Sequence, residues 1–85
     1  MKKLTTLPKW FNGTIYEEGD TVTNPFSGDQ YKLTGLELSM YDFIIGCQMM
    51  FEITPNVSNK SINDFNKALS WFRRHNSKAY MVLLD

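Results

Sequence analysis

The sequence has one cysteine, one histidine and no net charge, and each of these shortages excludes a class of protein. Cys47 alone can neither form an internal disulfide nor supply a cysteine-based zinc site. Nine basic residues balance nine acidic ones, so no overall field draws the chain towards nucleic acid or an anionic membrane. With one histidine and no glycine-rich phosphate loop, the chain is predicted to hold neither a metal nor another cofactor.

Long apolar runs are missing as well. Nothing in the chain approaches the ~18 uninterrupted apolar residues that a transmembrane helix needs. The basic start, MKKLTTLPKWF, is followed by no apolar segment, so we expect no secretory signal. Together with the single thiol, these features predict a cytoplasmic protein with no membrane partner.

What is present fits one small globular domain, residues 1–85. An apolar content of 42% and an aromatic content of 14% are typical of folded chains, although a chain this short builds only a thin core. The charge is uneven, because residues 10–57 carry a balance of −6 and residues 58–85 a balance of +3. The two parts could attract each other within one fold, or the acidic part of one chain could bind the basic part of another.

The first third of the chain has the pattern of short strands joined by tight turns. KWFNGTIY, residues 9–16, places Asn-Gly between two runs of strand-forming residues, which predicts a hairpin. DTVT and DQYKL are separated by NPFSG, where proline and glycine favour a turn. We therefore expect an antiparallel β-meander over about residues 9–33.

The remainder is predicted to be mainly helical. Thr34 and Glu37 have the spacing of a capping box, which predicts a helix over 35–53 that ends before a proline. Ser61 and Asp64 repeat that spacing ahead of a second helix over 62–75, whose apolar stripe comprises Ile62, Phe65, Leu69 and Phe72. AYMVLL, residues 79–84, favours a C-terminal strand that returns to the meander. The predicted class is α+β.

The predicted helix over residues 36–53 contains an unusual apolar stretch, MYDFIIGCQMMF, and has two apolar faces. At ~100° per residue the broader face comprises Leu36, Met40, Phe43, Ile44, Cys47, Met50 and Phe51. The second face comprises Leu38, Tyr41, Ile45 and Met49, with Ile53 at its edge. One covering layer cannot bury both faces, so this helix should lie between two layers.

The second layer has two possible sources. The chain itself could supply it, with the sheet on one face and the second helix on the other. Alternatively, a partner covers the face formed by Leu38, Tyr41, Ile45 and Met49, because soluble monomers rarely leave such a patch in water. We expect the partner, which is another protein or most simply a second copy in a two-fold homodimer. The leading functional hypothesis is thus a non-enzymatic protein-interaction module.

Chemistry-bearing residues are sparse. Cys47 and His75 are the only nucleophile and base that could pair, but a mid-helix apolar face makes a thiol inert, so we expect no catalytic residues. An alternative function is nucleic-acid binding through the aromatic and basic cluster of Trp71, Arg73, Arg74 and Lys78. The same cluster is also consistent with a solvated helix end whose cations complement the helix dipole.

Residues 21–46, TVTNPFSGDQYKLTGLELSMYDFIIG, resemble small proteins of tailed phages of marine cyanobacteria. The shared pattern is an NPFSG turn, a short strand, a capped helix start and then ELSMYDFI, about a third of the chain. That family has no assigned activity, so no functional residue can be carried over from it. The resemblance implies a viral accessory protein in the host cytoplasm, of the kind that binds host or phage proteins.

Overall fold

The computed structural model describes residues 7–11, 13–54 and 56–84, which form two strands and three helices. In chain order these are β1 (Asp20–Thr23), β2 (Gln30–Leu33), α1 (Gly35–Ile53), α2 (Asn59–His75) and α3 (Ser77–Leu83). The predicted α+β class is confirmed. None of the helices in these residues is long and apolar enough to cross a membrane.

The sheet is a two-stranded antiparallel hairpin rather than the longer meander that the sequence predicted. Asp20 lies opposite Leu33, and Thr23 lies opposite Gln30. The connecting turn includes Gly28, whose φ of 80° is the left-handed conformation that glycine adopts without strain. Leu33, which is 1% exposed, is the main contribution of the sheet to the core.

The strands predicted over residues 9–16 are wrong for the described part of that segment. Residues 9–11 and 13–16 contain no strand, and Asn12 of the predicted turn lies outside the described residues. Trp10 and Phe11 pack instead against Phe43 of α1, with ring centroids 6.1 Å and 5.5 Å away. Burial of these two rings on the helix therefore decided the conformation, rather than strand pairing.

Helix α1 begins as the sequence predicted. The Glu37 amide donates to Thr34 Oγ1 at 3.3 Å, and the Thr34 amide donates to Glu37 Oε1 at 2.8 Å. The helix ends at Ile53, before Pro55. This capping box satisfies two amides that the first helical turn leaves without partners.

Helix α2 begins three residues earlier than predicted, at Asn59. Ser58 is the N-cap residue, since its hydroxyl accepts from the Ser61 amide at 3.2 Å. Asp64 therefore has no capping role and pairs with Lys60 at 2.8 Å. The buried face is also rotated from the predicted stripe, because Ile62 is 41% exposed. That face comprises Asp64, Ala68, Trp71, Phe72 and His75.

The predicted C-terminal strand is wrong, because residues 77–83 form helix α3. Asn76 caps this helix by accepting from the Ala79 amide at 3.2 Å. Ala79 and Leu83, four residues apart, fall on one face and are both buried in the core. The β-type composition of AYMVLL is a weak preference that packing of this face overrides.

The core lies where α1, α2, α3 and β2 meet. Its largest fully buried side chains include Phe72, Leu33, Met40 and Ile44, all at or below 1% exposure. Tyr41 of α1 adds an aromatic contact, with its ring centroid 6.4 Å from that of Phe72. The broad apolar face of α1 is thus covered by the chain itself over most of its length.

Candidate protein-interaction surface

The second apolar face of α1 is covered by the chain over its first half only. Leu38 and Tyr41 are half-buried and pack against the core. Further along, Met49 is 58% exposed and Ile53 is 78% exposed. Internal cover therefore ends near Ile45, which is itself half-buried.

A groove of about 320 Å³ lies where that cover ends. It is bounded by the second half of α1, by the β1–β2 turn and by the end of α3. The residues that line it are Asn24, Pro25, Phe26, Tyr41, Ile45, Gln48, Met49, Glu52, Leu83 and Leu84. We call this the apolar groove, since most of its lining side chains are apolar.

The predicted interface residues are partly brought together here. Tyr41, Ile45 and Met49 line the apolar groove, whereas Leu38 does not. Burial raises the pKa of the Tyr41 hydroxyl above its usual value of 10.0, so this group remains protonated and can donate a hydrogen bond at neutral pH.

Phe26 is the residue that the sequence reasoning missed. Its side chain is 97% exposed at the tip of the β1–β2 turn, beside the apolar groove. The signal lies in NPFSG, where a phenylalanine follows the proline of a tight turn. A phenylalanine this exposed adds nothing to the stability of the monomer.

Asn24 holds the turn that carries Phe26. Its side-chain Oδ1 accepts from the Phe26 amide at 2.8 Å and from the Ser27 amide at 3.3 Å. Its Nδ2 donates to the Val82 carbonyl of α3 at 2.9 Å. Because Asn24 is itself buried, the backbone of the turn is fixed to α3, and the Phe26 backbone is held beside the groove.

A polar feature lies at the start of α1, where the three helices meet. Glu37 is buried, and its Oε2 lies 3.1 Å from His75 Nε2 and accepts from Asn76 Nδ2 at 2.9 Å. The His75 ring stacks on Trp71 with a centroid distance of 4.7 Å. We call Glu37, His75 and Asn76 the buried polar cluster; it joins the start of α1, the end of α2 and the cap of α3.

Cys47 and His75 are not brought together. His75 belongs to the buried polar cluster, whereas Cys47 lies near Lys60 and Asp64 at the other end of α2. Burial, with a smaller contribution from the Asp64 carboxylate, raises the pKa of the Cys47 thiol above 9.0. Within the described residues, no group of three histidine, cysteine or acidic side chains is placed to hold a metal ion.

The burial of Cys47 predicts a slow reaction with thiol reagents. At pH 8 the folded protein should react with a thiol reagent more than about tenfold more slowly than the chain unfolded in guanidinium, because both burial and the raised pKa deplete accessible thiolate. The raised pKa of Cys47 also makes the free energy of unfolding depend on pH. The contribution of Cys47 to that free energy is complete below the usual thiol pKa and is lost as the pH rises above it. Equal rates for folded and unfolded protein would show that Cys47 is accessible.

The predicted nucleic-acid residues do not form a single site. Trp71 and Arg74 line one cleft on α2. The Arg73 guanidinium instead lies 5.9 Å from the centre of the Tyr80 ring, and Lys78 is an exposed residue of α3. Trp71 is only 6% exposed, so it forms part of the core as well as of the cleft wall.

Comparisons with protein-family models, with curated proteins and with solved structures find no match to this chain.

Proposed function

We propose that this protein is a non-enzymatic interaction module that forms a two-fold homodimer through the apolar groove and Phe26. The observation that carries the proposal is an almost fully exposed phenylalanine, whose backbone is held beside a groove large enough to take a phenyl ring. A cavity of about 150 Å³ suffices for benzene, and the groove has about 320 Å³.

A second copy is the occupant that fits the arrangement of this surface. In a two-fold interface the same patch meets itself, so it must contain both a projecting group and its receptor. Phe26 and the apolar groove adjoin each other and meet this requirement. Rotation about an axis near the turn would bring each Phe26 into the groove of the other copy.

The remaining features of the surface agree with an interface of this kind. Aromatic side chains in central pockets contribute most of the binding energy at interfaces, and polar side chains surround them. Gln48 and Glu52, both exposed, supply polar groups in the groove lining. Because the Asn24 bonds already hold the turn, little backbone freedom is lost when Phe26 binds.

The cellular setting is part of the proposal. The single cysteine favours a reducing cytoplasm, which is that of the host if the resemblance of residues 21–46 to phage proteins reflects a viral origin. A host or phage protein is then the other possible occupant of the groove. It would leave the isolated protein monomeric, which distinguishes it from the homodimer.

Sedimentation velocity tests the proposal, with protein at about 1 to 100 µM, since interfaces of standard size begin to associate in the micromolar range. The wild-type mass should rise from 9.9 kDa towards twice that value. Ile45→Glu should remain monomeric while its circular dichroism shows a folded chain, because a carboxylate in the groove would be buried without a partner.

Ile15→Glu is the matched control. Ile15 is 66% exposed, and it lies outside the apolar groove. This variant should associate as the wild type does. A wild-type mass that stays at 9.9 kDa throughout, or equal behaviour of the two variants, would refute the homodimer.

A further inference from the structure

A cleft larger than the apolar groove lies on α2 and shares no residue with that groove. Its volume is about 630 Å³, and the segment from Pro8 to Trp10 forms one wall. The other wall is a face of α2 whose members recur at three- and four-residue steps. These are Asn63, Asn66, Lys67, Ser70, Trp71 and Arg74. We call this the tryptophan cleft, because both tryptophans of the chain line it.

All the charged side chains that line the tryptophan cleft are positive. Lys67 and Arg74 are exposed within it, and no acidic side chain lines it. The nearby carboxylate of Asp64 is already bonded to Lys60 at 2.8 Å. Among the described residues Lys67 has no ion pair, and Arg74 bonds only to the Ser70 carbonyl of its own helix, at 3.4 Å. Both cations are therefore available to an anionic ligand.

A third cation lies beside the cleft. Lys9 is exposed between Pro8 and Trp10, which form one wall. The neutral net charge of the whole protein conceals this local excess.

The aromatic walls are held rigidly. Trp71 is stacked on His75, which is in turn fixed by Glu37 at 3.1 Å. Trp10 is half-buried and packs against Phe43. The amides of Asn63 and Asn66 are exposed and can both donate and accept hydrogen bonds. The exposed part of the Trp10 ring, two amides and two cations together match the chemistry of a nucleobase that carries a phosphate.

We infer that the tryptophan cleft binds a nucleotide unit, with the base stacked on the half-buried Trp10 ring and touching the small exposed part of Trp71, and with the phosphate on Lys67 and Arg74. Stacking of bases on aromatic side chains, combined with cations along the backbone, is the general mode of single-strand binding. The same chemistry is offered by a free nucleotide and by a nucleotide within a single strand. This activity is independent of the homodimer, because the two surfaces are separate.

The intrinsic fluorescence of the protein reports on this site directly. Titration at low salt with thymidine monophosphate and with a thymidine oligonucleotide should change the emission, because the chain contains only the two tryptophans that line the cleft. Similar affinity for both ligands would assign a free nucleotide, whereas tighter binding of the oligonucleotide would assign a single strand.

Charge-matched double variants locate the binding. Lys67→Ala/Arg74→Ala should weaken oligonucleotide binding about tenfold and reduce the slope of log K against log salt by about 1.4, the value for two phosphate contacts on a single strand. Arg73→Ala/Lys78→Ala removes the same charge outside the cleft and should have less than about a threefold effect.

Three results would overturn the inference. The first is an unchanged emission with both ligands at low salt. The second is equal weakening by the two double variants, which would indicate only diffuse attraction. The third is equally tight binding of a glutamate-rich peptide of the same charge, which would mean that the cleft recognises acidic protein segments instead.

Discussion

Replacing Glu37 with alanine should lower the free energy of unfolding by about 3–5 kcal/mol, the cost of breaking a buried charged or hydrogen-bonded pair. The substitution removes the acceptor for Asn76 Nδ2 and the carboxylate beside His75 Nε2. It also removes half of the capping box at the start of α1. A domain of this size has only about 5–15 kcal/mol in total, so this loss is large.

Chemical denaturation followed by circular dichroism measures this effect, at one fixed protein concentration because self-association would add to apparent stability. Asp42→Ala is the control, since Asp42 is an exposed acidic residue on the same helix. It should change the free energy of unfolding by less than about 0.5 kcal/mol. If both variants are equally stable, the buried polar cluster does not hold the three helices together.

Replacing Phe26 with serine should raise the dimer dissociation constant roughly a thousandfold, which corresponds to about 4 kcal/mol. Burying a phenylalanine contributes about 1.5–3 kcal/mol, and a two-fold dimer buries two copies. The stability of the monomer should be unchanged, because Phe26 is 97% exposed and makes almost no contact within its own chain.

Ile15→Ser tests whether the effect belongs to the groove or to exposed apolar surface in general. Ile15 is 66% exposed and does not line the groove. Its replacement should change the dissociation constant by less than about threefold, as expected for a surface position outside an interface. Comparable losses from both substitutions would mean that association is nonspecific.

The parts of the fold that could be predicted from the sequence are those that local interactions determine. The capping box of Thr34 and Glu37 fixed the start of α1, and the NPFSG turn located the β1–β2 hairpin. These signals depend on side chains bonding to backbone a few residues away, so they are present in the sequence itself.

The predictions that were wrong concern segments whose conformation depends on tertiary contacts. Trp10 and Phe11 pack on Phe43 rather than entering a strand, and residues 77–83 form a helix because Ala79 and Leu83 are buried in the core. Both segments have strand-type composition, which reports a suitability for half-buried surfaces rather than a fixed backbone preference.

Only part of the candidate surface could be predicted from the sequence, because the rest of it also depends on tertiary contacts. Helical periodicity identified Tyr41, Ile45 and Met49, which do line the apolar groove. Leu38 lies on the same face but packs against the core, because cover from within extends over the first half of α1. Phe26 could not be found from helical periodicity, since it belongs to a different element that only the folded chain brings to α1.

The central claim is that Phe26 of each copy occupies the groove of the other, and mixing two defective variants tests it most directly. Phe26→Ser retains the α1 and α3 walls of the groove, and Ile45→Glu retains Phe26, so their mixture can form one of the two reciprocal contacts. Sedimentation of an equimolar mixture should show a heterodimer of about twice 9.9 kDa at concentrations where each variant alone is a monomer. A mixture that remains monomeric while the wild type dimerises would contradict the reciprocal arrangement.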